Sequence, residues 1–213
     1  SGARARLTAT GSLKLETGSF YSGAFTDAEG EITIESVDFG GRWSPLPPHD
    51  QVNIDASIRH GDDVIEVRAT RPIVEDPRGM HTTWWGVGQH VTHHGDSGIG
   101  TTKLPPIHSE LAVFALGTIR VNGSVVADGV PVHVMTSARV TDGFPGTLEL
   151  DAGMEGVELP QLPGGHVRAV WARHSGTVPQ SAERARNVGG TLVLLALLAG
   201  AFVLVRREQP TRR

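Results

Sequence analysis

The sequence predicts an all-β fold, an antiparallel β-sandwich or distorted barrel, followed by a single C-terminal transmembrane α-helix. Three observations carry that expectation. Apolar and polar residues alternate with a period of two through most of residues 1–172, the pattern of strands with one face in a core. The 27 glycines and 13 prolines punctuate this pattern at short intervals, as many short elements joined by turns require. Residues 188–205 then read VGGTLVLLALLAGAFVLV, with Thr191 as the only polar side chain and no charge.

The elements follow in chain order. Near the start, Leu7, Ala9, Leu13 and Leu15 share one strand face. Ile32 and Ile34 alternate in the next run, and the phase shift to Val37 and Phe39 predicts a bulge at Glu35–Ser36. Val52, Ile54, Ala56 and Ile58 face Ile65, Val67 and Ala69 across a turn at residues 60–63, a hairpin. Asn122–Gly123 lies between two β-branched runs, the pattern of a type I′ turn, and Asp128–Gly129 predicts a further turn. Two late strands complete the set, the second with Val167, Ala169 and Trp171 in phase. No amphipathic helix is predicted before the apolar run. The longest irregular stretch runs from Pro72 to about Ile107.

The chain therefore divides into an extracytoplasmic β-domain (1–172), a juxtamembrane linker (173–187), a transmembrane helix (188–205) and a basic tail (206–213). As a helix the apolar run measures about 27 Å, enough to cross a hydrocarbon core of about 30 Å. Arg206, Arg207, Arg212 and Arg213 follow it, which places the C-terminus in the cytoplasm by the positive-inside rule. The β-domain then lies in a periplasm or outside a bacterial cytoplasmic membrane. Export of the N-terminus calls for a leader that SGARARLTATG does not contain. Arginine outnumbers lysine 17 to 2, a usage that fits a GC-rich bacterial genome.

The layout of domain, apolar helix and arginine tail resembles the C-terminal sorting signals of bacterial surface proteins. Residues 159–165 (LPQLPGG) and 177–184 (TVPQSAER) lack the sortase and exosortase motifs, however, and the helix reads as a retained anchor.

Charge and composition exclude several functions. The tail contributes +3 to a formal charge of −4, so the remainder carries −7 and has no basic patch for nucleic acid. With no cysteine there are no disulfides, thiolate zinc sites, iron–sulfur clusters or cysteine nucleophiles. Asp62 and Asp63 are paired carboxylates in a turn and read as solvated. No phosphate loop or dinucleotide fingerprint occurs, and no nucleophile has a visible base. Gly95, Asp96, Ser97 and Gly98 resemble the nucleophile loop of chymotrypsin-like serine proteases. Ile99 departs from the family's second glycine, and 96 residues before Ser97 leave little room for the upstream triad partners and the barrels around them. The tetrapeptide reads as a turn, and enzymatic function ranks third.

The same stretch, residues 79–100, supports two stronger readings. His81, His90, His93, His94 and His108 lie within 28 residues, and His133 and Met135 share the strand face opposite Val130, Val132 and Val134. Imidazole and thioether ligands suit copper, and imidazole suits zinc, so a membrane-anchored periplasmic copper- or zinc-binding protein is the runner-up. Trp84 and Trp85 are adjacent, so on an extended chain one can enter the domain while the other meets a partner. Ala196 and Gly200 form a small-xxx-small pair suited to close helix approach in the bilayer. These residues predict a non-catalytic accessory or scaffold subunit whose partners are integral membrane subunits of a larger complex.

Overall fold

The computed structural model describes residues 2–39, 49–73, 86–93, 107–136, 147–153 and 159–179. Among these residues ten strands form one antiparallel sheet: β1 (Ala3–Glu16), β2 (Phe25–Asp38), β3 (Gln51–His60), β4 (Asp63–Pro72), β5 (Val87–His93), β6 (Ile107–Val121), β7 (Ser124–Thr136), β8 (Leu148–Ala152), β9 (Val167–Trp171) and β10 (Ser175–Thr177). Eight of them close into a barrel in the order β1-β2-β3-β4-β6-β7-β8-β9, with β9 returning to β1 through Leu13↔Trp171, Lys14↔Val170 and Leu15↔Ala169. Of the two predicted architectures the described residues form the barrel, because β9 pairs with β1 and closes the sheet on itself. The only helical turn among the described residues is a short 3₁₀ turn, Pro163–Gly165.

Period-2 alternation builds this wall. Ala5, Leu7, Ala9, Leu13 and Leu15 of β1 and Val52, Ile54, Ala56 and Ile58 of β3 point inward and are buried. Arg4, Arg6, Thr10, Ser12 and Lys14, and Gln51, Asn53, Asp55 and Arg59, point outward and are exposed. That is the reverse of a transmembrane barrel, whose apolar residues face out. Among the described residues no helix is long and apolar enough to cross a membrane, and 188–205 lie outside them.

The lumen is filled by the chain itself. Leu15, Ile34, Ile54, Ile58, Val67, Leu111, Val132 and Leu150 are fully buried, so no water-sized void adjoins them. Leu159 and Leu162, on either side of Pro160, belong to the same core, and so does Val87 of β5.

Three predicted details change. The bulge at Glu35–Ser36 is absent: register with β1 and β3 is unbroken there, and Ser36 takes the inward position after Ile34. Asp128–Gly129 lies within β7, where both residues oppose Thr118 alone; this is a bulge, fastened by Thr118 Oγ1 donating to Asp128 Oδ1 at 2.6 Å. The stretch after Pro72 contains β5, which pairs with β6. Asn122 (φ 51°) and Gly123 (φ 79°) do form the type I′ turn. Within the expected linker, β10 pairs with β1 through Arg6↔Thr177, Leu7↔Gly176 and Thr8↔Ser175.

Candidate functional site

The two ends of the barrel differ in chain connection. At one end β3 and β4, and β6 and β7, meet in two-residue turns. The other end, the mouth, holds Phe39 and His49, Ile73 and Gly86, His93 and Ile107, and Thr136 and Thr147, the described residues that flank the four longest connections there. Ile73 and Gly86 sit side by side on β6: Ile73 N donates to Phe114 O (3.0 Å) and Phe114 N to Gly86 O (2.8 Å). β4 and β5 thus follow one another along a single edge of β6, with residues 74–85 inserted between them.

β5 crosses the mouth. It pairs with β6, which lies four strands from β1 in either direction round the ring, yet Gln89 Nε2 donates to Ala3 O of β1 at 3.1 Å. The His90 ring contacts Val178 O, just beyond β10, at 3.3 Å. Asp50 clamps the start of β5: Oδ1 accepts from Phe39 N (3.0 Å) and Oδ2 from Val87 N (2.8 Å). Gly86 makes this possible, since its φ is +67° and a Cβ there would collide with Asp50 Oδ2. Burial pushes the Asp50 carboxyl above its usual range, and the two backbone donors pull the other way.

A second polar assembly lies on the outer wall at the seam where β9 meets β1. Glu16, at the end of β1, is fully buried. It accepts from Tyr21 N (2.9 Å), Gly23 N (2.8 Å) and Ser22 Oγ (3.4 Å), which pins the β1–β2 connection. Arg168 of β9 reaches Glu149 of β8 at 2.6 Å through Nε and Glu16 at 3.5 Å through Nη1. Its guanidinium stacks 4.3 Å from the Tyr21 ring centroid, and Tyr21 OH donates to Asp151 Oδ2 at 3.3 Å. His166 stands between Gly164 O (Nδ1, 2.9 Å) and Glu16 Oε2 (Nε2, 3.1 Å).

Electrostatics follow from burial. The Asp151 carboxyl is held well above its usual range, first by desolvation and then by the charge of Glu149, with Arg168 and Tyr21 opposing. Burial, Asp151 and Glu149 likewise raise the Tyr21 phenol, which stays protonated. Burial disfavours the Arg168 charge, but Glu149 and Asp151 outweigh it and the guanidinium remains a cation.

Of the residues singled out from sequence, the structure assigns His133 and Met135 to one face of β7, opposite Val130, Val132 and Val134, and both are buried. His133 Nδ1 donates to Val113 O at 2.9 Å and its ring stacks on Phe114 at 4.1 Å. His90 has φ +50° and its ring lies at Val178. His93 and His108 lie in β5 and β6, with their side chains outside the described part of the structure. His81, His94, Trp84, Trp85, Ala196 and Gly200 lie outside the described residues, as does the Gly95–Gly98 tetrapeptide. Among the described residues no group of three His, Cys, Asp or Glu side chains is arranged to hold a metal ion. Asp62 is exposed, and Asp63 accepts from Asn122 Nδ2 at 2.7 Å.

Sequence reasoning missed the seam cluster. Glu149 and Asp151 alternate with Leu148, Leu150 and Ala152, a pattern that locally reads as a solvated face. The fold and the site together define a closed eight-strand antiparallel barrel with a filled lumen, a strand across its mouth and a buried charge cluster at its seam. No family model, curated protein or solved structure matches the chain.

Proposed function

We propose that this chain is a non-catalytic accessory or scaffold subunit of a larger membrane protein complex. In this reading the barrel stands on the extracytoplasmic side of a bacterial cytoplasmic membrane, residues 188–205 form one anchoring helix, and residues 206–213 are cytoplasmic. One topological observation carries it. Ile73 and Gly86, which flank the segment containing Trp84 and Trp85, lie at the same end of the barrel as Val178 and Pro179, from which the chain continues toward 188–205. In this reading a partner in the membrane is met twice, by the tryptophans and by the helix with Ala196 and Gly200. Two weak contacts on one chain reinforce each other through a high effective concentration. The filled lumen supports a docking role over small-molecule carriage, and the polar outer wall suits a barrel in water.

The full chain, purified in mild detergent, should carry integral membrane subunits with it. Replacing Trp84 and Trp85 by alanine should weaken that association while the barrel stays folded, and deleting 188–205 should weaken it independently. Full co-purification of the folded double-tryptophan variant, even without the span, would move the contact elsewhere. Stoichiometric copper or zinc that disappears when His90, His93 and His94 are replaced together would favour the metal-binding reading instead.

A further inference from the structure

The seam cluster contains five ionisable groups apart from Tyr21, and their hydrogen bonds join four of them in pairs. Both His166 ring nitrogens face acceptors, Gly164 O and Glu16 Oε2, in a site where His166 is 3% exposed and Glu16 is fully buried. Nδ1 must donate to the carbonyl, so a lone pair on Nε2 would oppose a carboxylate lone pair unless one further proton lies between them. Glu16 and His166 thus satisfy one another across that contact. Arg168 and Glu149 are joined by a charge-assisted bond of 2.6 Å.

Asp151 is then left over. It is fully buried, and its Oδ1 makes no hydrogen bond. Arg168 Nε is 3.8 Å from Oδ1 and engaged with Glu149. The groups facing it from every neighbouring element are Glu16 on β1, Tyr21 on the β1–β2 connection, Glu149 beside it on β8, Arg168 on β9 and His133 opposite it in register on β7. His133 commits Nδ1 to Val113 O. A carboxylate at Asp151 would be a buried anion beside Glu149 and Glu16, held by the 3.3 Å bond from Tyr21 OH and by a guanidinium already engaged with Glu149, which a low-dielectric site disfavours.

We infer that Asp151 is a built-in proton site: the folded barrel carries it as a neutral carboxylic acid at neutral pH, and its ionisation on raising the pH loosens the seam between the first and last strands of the ring. Desolvation and the neighbouring Glu149 both act in this direction. The mechanical consequence falls on the β1–β2 connection. Tyr21 adopts a left-handed φ of 58°, and that strain is held by its contacts to Glu16, Arg168 and Asp151. An added charge beneath Tyr21 draws water into the cluster and weakens these restraints together.

Infrared spectroscopy of the full chain in detergent, with aspartate isotope-labelled, tests this directly. A protonated aspartic acid carbonyl band is expected at pH 7, disappearing as the pH is raised and absent from Asp151→Asn. Absence of any such band from the wild type at pH 7, or its survival in folded Asp151→Asn, would overturn the proposal. Should Asp151→Asn fail to fold, Tyr21→Phe decides. It removes a hydrogen bond that favours the ionised form, so the band should persist to higher pH, and an unchanged or lowered titration overturns the assignment.

Discussion

At Arg168 one guanidinium faces Glu16, Glu149 and Asp151 from a side chain that is 14% exposed. Removing one member of a buried ion pair leaves its partner desolvated and unpaired. Arg168→Met should therefore cost about 3–5 kcal/mol in urea unfolding, more than lost packing alone would explain. Ser109 makes the opposite case. It is fully buried on β6 and its Oγ has no hydrogen-bond partner, so Ser109→Ala removes a desolvated hydroxyl that contributes no bond. That variant should be neutral or more stable by up to about 1 kcal/mol, and a loss of several kcal/mol would reveal a bond not seen here. Asp50 and Asp151 give the pH dependence its sign. Both are raised by burial, so between the usual carboxylate range and their folded values the native state binds more protons than the unfolded chain. Their contribution to stability is fully present below about pH 4 and is lost as the pH rises through the folded values, the reverse of a salt-bridged carboxylate. Wild-type urea midpoints should show this decline upward from that range, and its slope should lessen in Asp151→Asn.

Among the elements, β5 starts at a glycine that no other residue replaces without strain. Gly86 brings the chain back onto β6 with a positive φ and lets Asp50 Oδ2 reach Val87 N. Gly86→Ala adds a Cβ where that oxygen sits, in a conformation L-residues disfavour. It should cost about 1–3 kcal/mol. Hydrogen exchange locates the damage: the Val87 amide should lose protection while Ile54, deep in β3, keeps it. Equal loss at both would mean that β5 and the barrel unfold as one unit. The type I′ turn at Asn122–Gly123 was legible because two positive φ values in succession demand Asn-Gly chemistry. The neighbouring Asp128–Gly129 shares that chemistry and became a bulge. A glycine with positive φ serves either purpose, and only the two-against-one pairing with Thr118 distinguishes them.

For the molecule as a whole the consequential property is a lumen packed by its own side chains. Leu150→Ala should cost about 2–5 kcal/mol and leave a dry apolar cavity. Benzene or xenon should then bind the variant and raise its melting temperature, while the wild type takes up neither. Uptake by the wild type would show that the barrel holds space for a ligand.

The sequence by itself determined the all-β class, the inward residues of β1, β3, β4 and β9, and both two-residue hairpin turns. These are local properties: alternation with period two selects a buried face, and turn residues report their own backbone angles. It did not decide between sandwich and barrel, because closure rests on three residue pairs between β1 and β9, strands at opposite ends of the described chain. It did not reveal β5 crossing to Ala3, or a cluster in which Glu16 meets Arg168 across a separation of 152 residues. Nothing in TLELDA marks Glu149 and Asp151 as buried, since their burial is produced by Arg168, Tyr21 and the β1–β2 connection folding over them. Those decisions belong to tertiary structure because each joins groups whose local patterns are indistinguishable from solvated strand faces.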